Sequence, residues 1–395
     1  MKRKEVKTTR TPIYRDSGFM MSDAAEMGEA FALEPLHNRE PDHYIYSRYR
    51  NPTVVAAEEE IMRTEGCGWA LLTQSGMAAV DVAVSIFQRG ASTRPWLFFT
   101  EIYGGTISFL DTVLVARRGI HLERFASEDD TYNLSKLEAL LRKVNPEFVY
   151  FETISNPMLI VADGPAIISL CKSLGIKTII DNTFATPILW KPLESGADLV
   201  IHSATKYFSG HGNLTAGVIC GNDEEIMREA VAYRKFVGHM LSPDDAYRLN
   251  TQLLSFPLRF PQQCGNASAL ASALEKSEPV RKVWYPGLSG HVTHSVARDL
   301  FRDEGYGAMV TFSFDGQTGD EKRRRRDLFI ELVKDKIHLV PTLGDPHTML
   351  MPVEPVWGHK YPDPGMIRVS VGYEPQSQLL ETVNSALEKI GGSVI

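Results

Sequence analysis

The sequence predicts an α/β protein: a mostly parallel, seven-stranded-type sheet buried on both faces by flanking helices, followed by a smaller α+β C-terminal domain. Three observations carry this expectation. Between residues 69 and 221 short apolar runs alternate with amphipathic stretches of helical spacing, the pattern of a parallel sheet covered on both faces. Past about Ser242 the style changes to helical stretches and strands that alternate apolar and polar residues. The chain also has 395 residues, more than one ordinary hydrophobic core organises.

Taken in order, the first forty-odd residues are Met-rich with scattered acids and a turn-prone segment, Glu34-Pro35-Leu36-His37-Asn38, and read as an extended arm. WALLT (69–73) is a short apolar run, and Met77 to Phe87 follows with helical spacing. WLFFT (96–100) precedes the helical stretch Ile107 to Val115. EFVYFE (147–152) and KTIIDN (177–182) flank a helix from Ala166 to Leu174, closed by Gly175 in a cap position. DLVIHS (198–203) and AGVICG (216–221) complete the series. Beyond them, Ala267 to Lys276 and Arg323 to Lys334 read as helices, and AMVTFSF (308–314) and MIRVSV (366–371) as alternating strands. The expected division is an arm over 1–45, an α/β domain over 46–245 and an α+β domain over 246–395. The basic run Lys322-Arg323-Arg324-Arg325-Arg326 opens an apolar-periodic helix and reads as a solvated helix face rather than an anion site.

Composition narrows the function. With 43% hydrophobic and 23% charged residues the chain is neither disordered, collagen-like nor coiled coil. No run approaches the roughly 20 apolar residues of a membrane-spanning helix. The basic N-terminus, MKRKEVKTTRTPIYRD, has no apolar stretch behind it, so no secretory signal is expected. A net charge of -7 gives no support to a nucleic-acid surface. Cys67, Cys171, Cys220 and Cys264 are far apart without a CxxC pair. Neither a disulfide framework nor a metal site is expected, and a reducing cytoplasm is.

In an open α/β sheet the chemistry sits beyond the carboxyl ends of the strands. After WALLT comes Gln74-Ser75-Gly76-Met77 at a helix entry, where free N–H groups and the helix dipole suit a phosphate. An ordinary turn with Ser75 as N-cap fits the same residues. After WLFFT comes Tyr103-Gly104-Gly105-Thr106, after EFVYFE the turn Ser155-Asn156-Pro157, and KTIID ends on Asp181. Lys206 follows the strand DLVIHS, beside Ser203 and Thr205 and ahead of Gly210-His211-Gly212. A lysine so placed suits a Schiff base. Pyridoxal phosphate (PLP) needs an amine, a carboxylate for its pyridine nitrogen, phosphate donors and a ring to stack on. Lys206, Asp181, the Ser75–Met77 turn with Ser203 and Thr205, and Tyr103 supply these four.

The segment SATKYFSGHGN (203–213) resembles the lysine signature of the Cys/Met-metabolism family of PLP enzymes. Further matching segments are YSRYRNPT (46–53), QSGMAA (74–79), YGGT (103–106), ETISNP (152–157), DNTFATP (181–187), YPGLSGH (285–291) and IRVSVGYE (367–374), in the family's order. The resemblance implies the type I, aspartate-aminotransferase-like fold and PLP as cofactor. It makes Lys206 the Schiff-base lysine, Asp181 the partner of the ring nitrogen and Tyr103 the stacked ring. Asn156 would reach the 3′-oxygen side, and Ser75, Gly76, Met77, Ser203 and Thr205 would hold the phosphate. Arg368 would grip the substrate carboxylate, with Thr342 and Asn156 also on the substrate side. Tyr46 and Arg48 would reach a neighbouring subunit's phosphate, so the resemblance implies a homodimer that pairs into a homotetramer. His211 is expected to be structural.

Four departures bear on the subfamily. Thr342-Leu343-Gly344 stands where the family commonly has Ser-Leu-Gly, preceded by Pro341 where the cystathionine γ-enzymes tend to carry glutamate. Gly105 stands where many methionine γ-lyases have cysteine, and the segment between His359 and Arg368 is short. The resemblance implies γ-elimination or γ-replacement on a sulfur-containing or O-acylated amino acid, with cystathionine β-lyase or O-acylhomoserine sulfhydrylase activity as alternatives. An aminotransferase shares the lysine and aspartate but not the other motifs. A non-catalytic protein of the same fold would have no need of Lys206, Asp181, Tyr103 and Arg368 together.

Overall fold

The computed structural model describes residues 7–88, 90 and 93–392; residues 1–6 of the expected arm and 393–395 at the other end lie outside them. Seven strands build the larger sheet: β1 (Trp69–Thr73), β2 (Trp96–Phe99), β3 (Leu122–Phe125), β4 (Phe148–Glu152), β5 (Lys177–Asp181), β6 (Leu199–His202) and β7 (Gly217–Gly221), in the order β1-β7-β6-β5-β4-β2-β3. They are made of apolar, largely β-branched or aromatic residues, and β1, β2, β4, β6 and β7 are buried along their whole length. Burial on both faces removes any need for polar alternation. Three of the helices between them, and the helix after β7, start on side-chain caps: Ser75 for Gly76–Ser85, Asn133 for Leu134–Val144, Asp163 for Gly164–Ser173 and Asp223 for Glu224–Val237. Each cap satisfies an N–H that the helix itself leaves unbonded.

One strand departs from the parallel pattern. β7 is antiparallel to both β1 and β6, while the other six share one direction. A parallel return needs a crossover, usually a helix, that carries the chain back to the other end of the sheet. The link from β6 to β7 contains only turns, so it stays at the carboxyl end and β7 must run back. Lys206 lies on that link.

The smaller sheet holds β8 (Val280–Trp284), β9 (Met309–Phe314), β10 (His338–Leu339), β11 (Met349–Pro352) and β12 (Met366–Ser370), in the order β10-β11-β12-β9-β8. Its apolar residues Val310, Phe312, Phe314, Ile367 and Val369 pack in one core with residues of helices Phe256–Glu275, Gly319–Val333 and Gln376–Gly391. The sequence pattern of β9 and β12 alternates as expected, yet both strands are buried throughout. Their polar residues meet protein instead of water. Thr311 donates to the carbonyl of Pro157 (2.7 Å), Ser313 donates to Asp363 (2.7 Å), and Ser370 accepts the N–H of Gly344 (2.9 Å). That inward polar face is where Arg368 stands.

Two further differences have local causes. The arm is not extended throughout: Ala24–Leu33 is a helix, capped by the Asp23 carboxylate. The helix expected from Ala267 begins already at Phe256, and Pro257 and Pro261 in its first turns hide its start in the sequence. Its first half packs in the larger core and its second half in the smaller one, so this helix joins the two.

Candidate active site

The carboxyl ends of β1, β4, β5 and β6 face the inner side of the smaller sheet around a cavity of about 250 Å³. Ser75, Gly76, Met77, Tyr103, Asn156, Asp181, Ser203, Thr205, Lys206 and Arg368 all line it. Thr342 joins through its side chain, whose hydroxyl accepts from Lys206 Nζ at 2.8 Å. Tyr46 and Arg48 do not line it. Arg48 donates to the carbonyl of Lys235 (2.6 Å) and lies over the rings of Tyr46 and Tyr49 (5.5 and 5.1 Å).

Lys206 is partly buried beside another cation. Burial, with a smaller contribution from Arg368, lowers its pKa from 10.5 to about 8. Gly344 backs it closely. Its φ is +87°, and a Cβ there would stand 2.8 Å from the Lys206 carbonyl carbon, so the position requires glycine on both counts.

Asp181 ends β5 with one oxygen held by Thr183, through its hydroxyl (2.6 Å) and its N–H (3.0 Å). Burial raises the carboxyl pKa, and the two Thr183 bonds oppose the rise. The same Thr183 hydroxyl accepts the N–H of Ser203 (2.8 Å), tying the ends of β5 and β6 together. Glu152 ends β4 beside Asp181 in the parallel register. It accepts the N–H of Tyr103 at 2.5 Å, and burial next to Asp181 pushes its pKa well up. This bond fixes the start of the helix Gly104–Phe109 and so the root of Tyr103, whose ring is half-exposed to the cavity. A side chain at Gly105 would run into that ring. A cysteine at this position would require the Tyr103 ring to shift from where it stands.

Ser75 serves as N-cap, accepting from Ala78 N–H at 3.1 Å. The cap leaves the N–H groups of Gly76 and Met77 without an intrahelical acceptor. A Cβ at Gly76 would stand 3.0 Å from the Ser203 side chain and fill the space between them. An anionic group fits this cradle of free N–H donors and hydroxyls. Thr205 both donates to and accepts from Ala216 (3.1 and 2.9 Å), which closes the link after Lys206.

Arg368 is buried, with Nη1 donating to Asn156 Oδ1 and Nη2 to the Thr342 carbonyl, each at 3.2 Å. Among the described residues its Nε has no acceptor. Burial lowers its pKa from 12.5 to about 10, so it remains a cation at neutral pH. A buried guanidinium with an unused donor asks for an anion. Sequence reasoning assigns no role to Glu152 or Thr183, although both stand inside quoted motifs at strand ends, where a carboxylate and a hydroxyl lie next to the recognised groups. His211 Nδ1 lies 2.5 Å from the Ser209 carbonyl, a local turn contact. Among the described residues no group of three or more His, Cys, Asp and Glu side chains is placed to hold a metal, and no helix is long and apolar enough to cross a membrane.

Comparison with known proteins gives the family. The family model described as "Cys/Met metabolism PLP-dependent enzyme" matches residues 1–388. A cystathionine beta-lyase of Lactococcus lactis subsp. cremoris is 35% identical over 360 residues, covering 89% of this chain and 90% of the relative. An L-methionine gamma-lyase of Fusobacterium nucleatum subsp. polymorphum is 31% identical over 395 residues, covering 97% and 94%. The crystal structure of a cystathionine gamma synthase from Xanthomonas oryzae pv. oryzae, in complex with aminoacrylate and cysteine, superposes with a TM-score of 0.84 at 27% identity, covering 98% of this chain and 94% of that one.

Proposed function

Because the chain belongs to the Cys/Met metabolism family of PLP-dependent enzymes, we propose that it eliminates or replaces the Cγ substituent of a sulfur-containing or O-acylated amino acid. PLP is its cofactor, and when bound it supplies an electron sink for the carbon next to the substrate amine. The observation that carries the proposal is the convergence of Lys206, Asp181, Tyr103 and Arg368 on one cavity.

In this reading Lys206 would bind the cofactor aldehyde, and Asp181 would meet the ring nitrogen. The donors of Gly76, Met77 and Ser203, with Ser75 shaping the turn, would hold the phosphate, and the Thr205 hydroxyl would join them by turning its hydrogen away from the Ala216 carbonyl. Tyr103 would stack on the ring, and Asn156 would face its 3′-oxygen. Arg368, steadied by Asn156 and the Thr342 carbonyl, takes the substrate α-carboxylate. Lys206, once released, takes the Cα proton as a free amine. A pKa near 8 leaves part of the amine neutral at physiological pH, as a general base needs. Once Lys206 has returned that proton to the reacting carbon framework it would take a second from Cβ, and the Tyr103 hydroxyl would protonate the departing sulfur or oxygen at Cγ. The relative named cystathionine beta-lyase favours a second reading, cleavage at Cβ, which uses the same lysine without the second proton.

Tyr46 and Arg48 would complete the phosphate site of a neighbouring subunit, in a homodimer that pairs into a homotetramer. Support comes from the exposed apolar residues beside the Arg48 contact, Phe236 (75% exposed) and Val237 (47%), which a partner would cover. The division into arm (1–45), α/β domain (46–245) and α+β domain (246–395), and a cytoplasmic location, belong to the same proposal. The test is a product screen. Methionine, cystathionine, homocysteine, homoserine and O-acylhomoserines are offered with and without a thiol, and ammonia, 2-oxo acid and thioether are measured. Products of Cγ cleavage or exchange are expected. Pyruvate from cystathionine together with free homocysteine would favour the β-lyase reading instead.

A further inference from the structure

We propose that Trp357 is a positioning residue for Arg368, its indole backing the guanidinium that takes the substrate carboxylate; this role rests on the proposed function above. The Arg368 Cζ lies 5.6 Å from the centroid of the Trp357 ring, within the range of cation–π attraction. In its own plane the guanidinium is held by Asn156 and the Thr342 carbonyl. These two acceptors restrain its edges, and the ring restrains its face. Together they fix the plane of the guanidinium before a carboxylate arrives. Arginine binds carboxylates through this planar fork, and fixing the plane beforehand lowers the ordering cost of binding.

Trp357 needs support of its own, because the helix Glu354–Trp357 is a single turn and such a turn is not stable alone. It is tied at both ends. At its start Glu354 accepts from Arg323 Nη2 (2.7 Å) and Arg326 Nη1 (3.1 Å), and the same Arg326 nitrogen donates to the Pro364 carbonyl (2.9 Å). Beyond its end the Tyr361 hydroxyl donates to Glu101, and Lys360 Nζ donates to the Thr100 carbonyl (2.8 Å). Trp357 and Tyr361 meet edge to face at 6.4 Å, and Trp357 Nε1 stands 3.8 Å from where a Cβ at Gly104 would be. The strap 354–361 therefore spans from the arginines of helix Gly319–Val333 to the turn that carries Tyr103. This gives the basic run 322–326 a use that a solvated face does not: Arg326 is buried, and with Arg323 it clamps the residue that begins the strap.

The test compares wild type, Trp357→Ala and Trp357→Phe as PLP-loaded proteins. Steady-state kinetics with the best substrate of the product screen are paired with titration of the bound-PLP absorption by L-norleucine and by L-norleucinamide, which lacks the carboxylate. Trp357→Ala is expected to raise KM and the norleucine Kd about tenfold with kcat within about twofold. Norleucinamide binding should not change, and Trp357→Phe should recover most of the loss. Equal weakening of both ligands, or no weakening of norleucine, would overturn the role of Trp357 while PLP absorption remained normal. A wild-type protein that takes up no PLP would instead overturn the proposed function and this inference with it.

Discussion

Lys206 and Thr342 meet across the junction of the two sheets: the lysine Nζ donates to the threonine hydroxyl at 2.8 Å. The carbonyl of the same Thr342 holds Arg368. One residue of the smaller domain thus touches both the lysine after β6 and the arginine on β12. Through it the relative position of the two cores sets the distance between the proposed base and the proposed carboxylate anchor.

Arg368→Ala removes a charge-assisted contact worth roughly 1.5–3 kcal/mol, so KM for the amino-acid substrate should rise about 10- to 100-fold. PLP content, read by absorption, should be unchanged because Arg368 bonds Asn156 and the Thr342 carbonyl rather than the residues of the cradle. An unaltered KM would assign the carboxylate to another residue.

The lowered pKa of Lys206 has a measurable sign. Only the neutral amine attacks an aldehyde, and below its pKa the amine is protonated. After PLP is removed, the rate of PLP recapture should climb as pH rises through about 8 and level off above it. In Arg368→Ala the midpoint should shift upward, since a repelling cation is gone. A rate still climbing toward the ordinary lysine value of 10.5 would contradict the buried setting of Lys206.

Thr183 links Asp181 to Ser203 through one hydroxyl. Thr183→Val should leave a buried carboxylate short of a donor and Ser203 N–H short of an acceptor, a loss of about 1–3 kcal/mol in cofactor binding. Equilibrium PLP titration should show a Kd about tenfold or more weaker. Unchanged affinity would mean that Asp181 and Ser203 are held without this bridge.

The shared-site proposal is checked by mixing subunits. Arg48→Ala and Lys206→Ala proteins should each be inactive, and a mixture should regain partial activity after subunit exchange, because one site of a hybrid dimer is intact. Sedimentation should give a dimer or tetramer. A fully active monomer, or exchange without recovery, would remove Tyr46 and Arg48 from the site.

Much of this arrangement is legible in the sequence because strand ends announce themselves. Apolar runs such as WALLT and KTIID mark strands, and the polar residue that follows each one lands at the same end of the sheet. β3 is not legible. Leu122–Phe125 carries Glu123 and Arg124 at its centre, as an edge strand paired only to β2 can. The reversal of β7 is not legible either, since AGVICG is equally apolar in both directions and only the turn-only link after β6 decides. The inward polar face of β12 is misleading in the sequence: Arg368 and Ser370 alternate as if toward solvent but are buried, bonded to Asn156 and to the Gly344 N–H. Trp357 gives no signal, because its contact with Arg368 depends on ion pairs that Glu354 makes with Arg323 and Arg326, on a helix well before it in the chain.

The central claim, that Lys206 is the residue that binds PLP, is tested most directly by reducing the PLP-loaded protein with borohydride and mapping the modified peptide by mass spectrometry. The pyridoxyl group should sit on Lys206, and Lys206→Ala should yield no modified peptide, lose the bound-cofactor absorption and lose almost all turnover. A pyridoxyl group on a different lysine in the wild type, or unchanged absorption and activity in Lys206→Ala, would contradict the account.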